Sequence, residues 1–272
     1  LRREVEYLNH CISTTMVSYV GSYVDRFETE LSNFVGAKHC FCTNSGTAAL
    51  HLALLAVGVS TNDEVLTPSF SFVATANAIR YCGGIPHFID IDQESLGVNS
   101  KKLEAYLDDI VEVVDGVSVN RLTGNVLKAA VVVHTFGQPA DISRILQLAG
   151  KFNIPVVEDA AEALGTHYFG KHVGTIADIG IFSFNGNKII TTGGGGAVVT
   201  NDELLSKKVR HIGSTAKVNH SFELIHDDVG FNYRMPNVNA AIGIAQLEKI
   251  KQKIQFKRRL FQRYSNAFSK LE

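Results

Sequence analysis

The chain has 272 residues, 45% of them hydrophobic and 19% charged, with a formal net charge of −1. That composition fits a globular protein with a sizeable core, built as one large domain or as one large domain plus part of another. Near-neutral charge leaves no bulk attraction to nucleic acid or to an anionic membrane, and no apolar run reaches the ~18 residues that span a bilayer. No charged-then-apolar signal segment opens the chain, and because it starts at Leu1 without an initiator Met a fragment is expected. Cys11, Cys40, Cys42 and Cys82 match no zinc-type spacing. Cys40-Phe41-Cys42 reads as a buried strand with reduced thiols, so we expect no metal site and a cytoplasmic location.

Short apolar runs alternate with helical stretches, the pattern of an α/β protein with a largely parallel sheet. Val24, Phe27, Leu31 and Phe34 recur at helical spacing, and Gly36 closes that helix. His39 to Thr43 reads as a strand, and Gly46 to Val57 as a helix capped by Asn44 or Ser45. Glu64 to Pro68 is then a strand, Phe72 to Tyr81 a helix and Ile85 to Ile89 a strand. A helix around Leu103 to Leu107 opens at Asn99 or Ser100. The turn signals Asp115-Gly116 and Thr123-Gly124-Asn125 make Val111 to Leu127 an irregular hairpin excursion. Further strands are expected at Ala129 to His134, Ile154 to Glu158, Ile179 to Phe184 and Ala197 to Thr200, with a helix at Ile142 to Phe152. From Asn237 to Phe268 the pattern predicts one long basic helix, with Ile242, Leu247, Ile250 and Ile254 on one face.

Lys188 has unusual surroundings. It follows Ser183-Phe184-Asn185-Gly186-Asn187 and precedes Ile189-Ile190-Thr191-Thr192 and the glycines Gly193 to Gly196. A lone lysine is ordinarily a solvated surface charge, but these flanks are apolar, small and glycine-rich. Upstream, 188 − 159 = 29 residues away, the run Val156-Val157-Glu158-Asp159 ends in a carboxylate at the edge of a predicted strand. A Schiff-base lysine together with an acid for a pyridinium nitrogen is the protein's half of pyridoxal-phosphate chemistry. Asp159 could equally cap a following helix. Glu162, one turn on, either faces the ring or occupies a solvated helical position, and Glu158 points away as a structural group. Asn44-Ser45-Gly46-Thr47-Ala48 joins strand to helix and offers backbone N–H groups and a hydroxyl to a phosphate, though a capped turn without ligand explains it as well. Ser183 offers a second hydroxyl. Phe72 either stacks on a flat ring or belongs to the core. His134 reads as a satisfied core histidine, and the glycine run as close backbone packing or flexibility beside the lysine.

Taken together these stretches resemble the sugar-nucleotide aminotransferases of the DegT/DnrJ/EryC1/StrS family. The resemblance rests on Ser-Gly-Thr-Ala-Ala-Leu, Pro-Ser-Phe-Ser-Phe-Val-Ala-Thr, Glu-Asp-Ala-Ala, Ser-Phe-Asn-Gly-Asn-Lys and Gly-Phe-Asn-Tyr-Arg-Met, and runs from about Tyr19 to the last helix. It implies the aspartate aminotransferase-like fold, type I: a three-layer α/β/α large domain over residues 1–235 with a mixed, mostly parallel central sheet. Residues 236–272 would be a long helix leading to a small C-terminal domain largely absent from this chain. It implies pyridoxal 5′-phosphate as cofactor, with Lys188 as the Schiff-base lysine, Asp159 as pyridinium partner and Phe72 as stacking ring. Thr47, Ser183 and the N–H groups of Gly46 and Thr47 would hold the phosphate, and Asn232 would reach the phosphate of the neighbouring subunit in a homodimer. Glu162 departs from the commoner Gln and resembles a subgroup making bacterial amino sugars. Apolar stretches at Met16-Val17 and Phe231-Tyr233 would feed the dimer interface. The implied reaction moves an amino group, from glutamate, to C4 of a UDP- or GDP-linked 4-keto-6-deoxy sugar in polysaccharide synthesis. A non-catalytic scaffold of the same fold and an amino-acid aminotransferase are the competing readings.

Overall fold

The computed structural model describes residues 2–269. In chain order it contains α1 (Arg2–Ser13), α2 (Ser22–Val35), β1 (His39–Thr43), α3 (Gly46–Ala56), β2 (Glu64–Pro68), α4 (Val73–Tyr81) and β3 (Ile85–Ile89). These are followed by α5 (Ser100–Ile110), β4 (Val111–Val114), β5 (Val117–Asn120), β6 (Leu127–Val133), α6 (Ile142–Lys151) and β7 (Val156–Asp159). The remainder is β8 (His167–Tyr168), β9 (Lys171–His172), β10 (Ile179–Ser183), β11 (Gly196–Thr200), α7 (Glu203–Gly213), α8 (Asn237–Leu247) and α9 (Ile250–Phe268). Seven strands form the central sheet in the order β1-β11-β10-β7-β6-β2-β3. β10, β7, β6, β2 and β3 run parallel, and β11 lies antiparallel between β10 and β1.

Alternation along each strand sorts its side chains into two cores, as the two-residue period of a pleated strand requires. Val65, Ala129, Val131, Val157, Ile181 and Val198 face one layer, whose apolar side is supplied by α3, α4 and α7. Their neighbours Leu66, Ala130, Val132 and Val156 face the opposite layer, against α5 and α6. On the same opposite side, Cys40, Cys42, Phe182 and Val199 pack under α1, α2 and α8. Burial on both faces explains why the strands read as continuous apolar runs. The fold is therefore the expected three-layer α/β/α with a mixed, mostly parallel sheet.

Several expectations need correction. The excursion after α5 is a regular antiparallel hairpin, β4–β5, turned at Asp115 (φ 51°) and Gly116 (φ 81°). The one long helix from Asn237 to Phe268 is broken at Glu248–Lys249. No Gly or Pro marks that break. Instead the Glu248 carboxylate accepts from Arg3, Tyr7 and Arg26, which holds the end of α8 against α1 and α2. Beyond it α9 is largely exposed, with Ile250 its only described buried residue. Its first turns touch two other segments: Ile254 lies against Gly165, where an added Cβ would sit 2.4 Å away, and Lys253 Nζ reaches Ile189 O at 3.5 Å. We propose the division into two domains at this break, since α8 contributes Ala240, Ala241 and Ile244 to the core; residues 270–272 of the expected second region lie outside the described residues. The helices α1 and α7 have no counterpart in the sequence reading, although Tyr7 and Cys11 at i, i+4 and the Asp202 cap are their signals.

His172, on β9, is 3% exposed and fully committed. Its Nε2 accepts from the Gly165 N–H at 2.8 Å, so Nδ1 carries the hydrogen and donates to Val173 O at 2.6 Å. Burial lowers its pKa to about 4. Between the unfolded value of about 6.5 and that folded value the unfolded chain binds the extra proton, so stability falls as pH falls. The unfolding free energy from denaturant titrations between pH 7 and pH 5 is expected to drop by about 1 kcal/mol per pH unit below pH 6.5. His172→Gln should flatten that slope.

Candidate active site

A cavity of about 540 Å³ opens at the carboxyl ends of the parallel strands, lined by residues following β1, β2, β6, β7 and β10 and by Gly194 and Gly195 just ahead of β11. This is where open α/β sheets place ligands, and the size is typical of a small-molecule site. Ser45, Gly46, Thr47, Phe72, Asp159, Glu162, Ser183 and Lys188 all line it. Residues spread over 140 positions of chain thus converge on one space because their strands end at one edge.

At one end stands the N-terminus of α3. Ser45 is its cap and accepts from Ala48 N–H at 3.0 Å. The N–H groups of Gly46 and Thr47, in the first turn, lack intrahelical acceptors by geometry and present positive charge. Ser183 is packed directly against Gly46, where an added Cβ would lie 2.8 Å from Ser183 Cβ. Gly196 closes the same cradle from β11, since a Cβ there would meet Ser45 O at 2.6 Å and Gly46 Cα at 2.7 Å. The glycine run therefore serves close backbone packing. Two hydroxyls and two N–H groups in such a cradle fit a phosphate.

At the other end lies Asp159, 7% exposed. It sits on the α3–α4 side of the sheet, and its Oδ2 accepts from the Thr75 hydroxyl at 3.0 Å while Oδ1 accepts from Ala161 N–H at 3.2 Å. Ser71 stands 2.7 Å behind Thr75, donating in its turn because the Thr75 hydrogen goes to the carboxylate. Burial pushes the Asp159 carboxyl above the usual range against these donors. Both hydrogen-bond donors are neutral, so a cationic ring N–H entering the cavity is the complement this carboxylate needs. No helix follows Asp159, which rules out a helix cap: residues 160–165 form turns, and Glu162 sits in one of them. Glu162 Oε1 lies 3.1 Å from Lys188 Nζ, and Oε2 accepts from Phe136 N–H at 3.0 Å. Phe72 precedes α4 instead of lying within it and exposes its ring to the cavity.

Glu158 and His134 take the other side of β7. Glu158 accepts from Gly174, Ile176 and Ala177 N–H at 2.7 Å each and from His134 Nε2 at 2.9 Å. Burial works to raise its pKa, but His134 and these N–H groups lower it on balance. His134 Nδ1 accepts from Ala140 N–H, so both residues are satisfied structural groups. Asn232 does not line this cavity. It is exposed, and its carbonyl accepts from Asn44 Nδ2 at 3.4 Å. Its neighbours Phe231 and Tyr233 turn their stacked rings inward onto His51, so of the expected interface stretches only Met16-Val17 stays exposed. Sequence reasoning missed Thr75 and Phe136. Thr75 lies one helical turn after Ser71, a spacing that could have flagged it, whereas the Phe136 geometry has no local signal.

The family model for the DegT/DnrJ/EryC1/StrS aminotransferase family matches residues 2–272. The chain belongs to that family. It is 40% identical over 269 residues to GDP-perosamine synthase of Escherichia coli O157:H7, covering 99% of this chain and 69% of that protein. It is 38% identical over 253 residues to UDP-4-amino-4,6-dideoxy-N-acetyl-β-L-altrosamine transaminase of Campylobacter jejuni, covering 92% and 63%. Helicobacter pylori PseC, an aminotransferase involved in the biosynthesis of pseudoaminic acid, superposes with a TM-score of 0.86 at 28% identity, over 98% of this chain and 68% of that one. The chain thus spans roughly two thirds of these relatives' length. It is a pyridoxal-phosphate-dependent aminotransferase of fold type I, and the cradle and Asp159 fit that cofactor's two ends. Among the described residues no helix is long and apolar enough to cross a membrane.

Reducing the cofactor-loaded protein with borohydride and mapping its peptides is expected to find the cofactor fixed to Lys188. Lys188→Ala should bind the cofactor without such a linkage. Attachment at another lysine would refute the assignment.

Proposed function

We propose that this chain carries the catalytic part of an enzyme that moves an amino group from glutamate to C4 of a nucleotide-linked 4-keto-6-deoxy hexose. The observation that carries the reading is the convergence of Lys188, Glu162 and Asp159 on one cavity that ends in a phosphate cradle. Likeness to a GDP-perosamine synthase and to a UDP-sugar transaminase supports a sugar nucleotide as substrate. Both relatives are named for amino sugars, which favours this reading over an ordinary amino-acid aminotransferase. Reduced cysteines favour the cytoplasm as the place of reaction.

Each residue has a physical task. Gly46 and Thr47 N–H groups with the Thr47 and Ser183 hydroxyls hold the cofactor phosphate, and Phe72 covers the ring. Asp159, kept in register by Thr75 and Ala161, holds a proton at the ring nitrogen. When bound, pyridoxal phosphate supplies a carbonyl carbon that takes the amino group and a ring that accepts the electron pair left at the substrate carbon. Lys188 moves the proton to and from that substrate carbon, a step that needs hydrogen-bond reach to it. Glu162 keeps the Lys188 amine directed into the cavity between transfers. The substrate's pyrophosphate and nucleoside act as remote anchors, holding the keto carbon within the ~3–3.5 Å that reaction requires. Two copies working together would let Asn232 of one reach the cofactor phosphate of the other.

Asp159→Asn is expected to retain cofactor while the chemical step slows by about 10²–10³-fold, because the ring nitrogen loses its charged partner. Single-turnover kinetics check this, and near-normal rates would refute the role.

Full-length protein given glutamate and a panel of 3-keto and 4-keto sugar nucleotides is expected to aminate only the 4-keto members. Magnetic resonance of the product locates the new nitrogen. Amination at C3, or turnover of none of the panel, would overturn the proposal.

A further inference from the structure

Phe136 has a backbone conformation that its residue type disfavours. Its φ is +54°, in the left-handed region, and it is an aromatic residue with no short polar side chain to compensate. The turn is fixed from several sides. Phe136 N–H donates to Glu162 Oε2, and Gly137, also left-handed at φ +80°, lies so close to Glu162 O that a Cβ would stand 3.0 Å away. Gly137 N–H and Gln138 N–H close back onto His134 and Thr135 carbonyls. Strain of this kind persists where surrounding structure imposes it, and it gathers at functional sites. The turn gains little burial of the side chain, for Phe136 is 70% exposed. It stands at the cavity wall, edge-on to Phe70 with centroids 6.1 Å apart, and Phe70 is itself 42% exposed. Two costly features, a left-handed aromatic residue and two bare rings, therefore point into the same space that Lys188 enters.

We propose that Phe136 and Phe70 form the wall on which the hexose ring of the substrate packs, which makes Phe136 a specificity-determining residue of the amino-acceptor side. A hexose presents a C–H-rich face, and the electron-rich faces of aromatic rings are its natural complement. A phosphate needs no such wall; a nucleobase also stacks on aromatic rings, and binding of the bare nucleoside diphosphate separates the base from the hexose. Through its two oxygens Glu162 ties this wall to the lysine: one faces Lys188 and the other pins Phe136, so ring and amine are held in mutual register. The inference rests on the sugar-nucleotide reading of the site and adds which side chains recognise the sugar.

Calorimetric titration of the full-length holoenzyme tests it, with a UDP- or GDP-linked 4-keto-6-deoxyhexose as one ligand and UDP or GDP alone as the other. Phe136→Gly is expected to weaken the sugar nucleotide about tenfold while the bare diphosphate changes by less than twofold. Its melting temperature should not fall, because glycine relieves the left-handed backbone. Phe70→Leu, which leaves that backbone untouched, should weaken the sugar nucleotide in the same selective way, and Phe136→Tyr should restore binding. Equal weakening of both ligands, the mark of a merely structural or interface residue, would overturn the proposal, as would no weakening of either. If wild-type protein bound the sugar nucleotide no more tightly than the diphosphate, the sugar-nucleotide reading would fail and the wall with it.

Discussion

The buried Glu158 carboxylate is the interaction on which the rest of the site depends. It ties three backbone N–H groups of residues 174–177 and the imidazole of His134 to the edge of β7. Leaving a buried polar group of such a network without its partner costs about 1–3 kcal/mol, and more where the group is charged. The next residue along the strand, Asp159, points to the other face by the strand's own alternation. One peptide unit thus separates a carboxylate that holds the scaffold from one that holds chemistry. Fixing Glu158 fixes where Asp159 stands, and with it the distance to the cradle at α3.

Much of this was readable in the sequence. The strands at His39–Thr43, Glu64–Pro68 and Ile85–Ile89 fall where predicted because apolar runs bounded by turn residues leave few alternatives. Lys188, Asp159, Gly46, Thr47, Ser183, Phe72 and Glu162 were all identifiable, since each sits in a short stretch whose residue types are unusual for their setting, and the cavity brings them together. What escaped notice depends on contacts distant in the chain. The break at Glu248–Lys249 is set by Arg3, Tyr7 and Arg26, more than 200 residues away, and nothing local announces it. Thr75 becomes meaningful only when α4 is laid against β7, 84 residues on. Phe136 is set apart only by its left-handed φ, which no neighbouring residue type announces. Asn232 lies outside this chain's cavity, so nothing within one copy could give it a role.

Two kinds of order meet in the cavity. The phosphate end is built from backbone and small residues, where packing leaves no freedom: Gly46, Ser183 and Gly196 touch at distances that admit no added carbon. The opposite end is built from side chains on turns, where Glu162 shares one hydrogen bond with the Lys188 amine and one with the Phe136 N–H. A rigid anchor for what every turnover shares, and an adjustable rim for what differs between substrates, is the division expected when function sits on loops of a fixed scaffold.

The exposed course of α9 has a mechanical consequence. Nineteen residues at about 1.5 Å per residue make a rod of about 28 Å. Its near end rests on Gly165, three residues beyond Glu162, and on Ile189, the residue after Lys188. A tilt of about 5° at Glu248–Lys249 displaces the far tip of such a rod by about 2–3 Å and the near end by only a fraction of that. A helix seated in this way would act as a lever with its short arm against the two turns that carry Glu162 and Lys188. A tilt of that size would reach those turns geared down to a scale at which a hydrogen bond is lengthened without being lost.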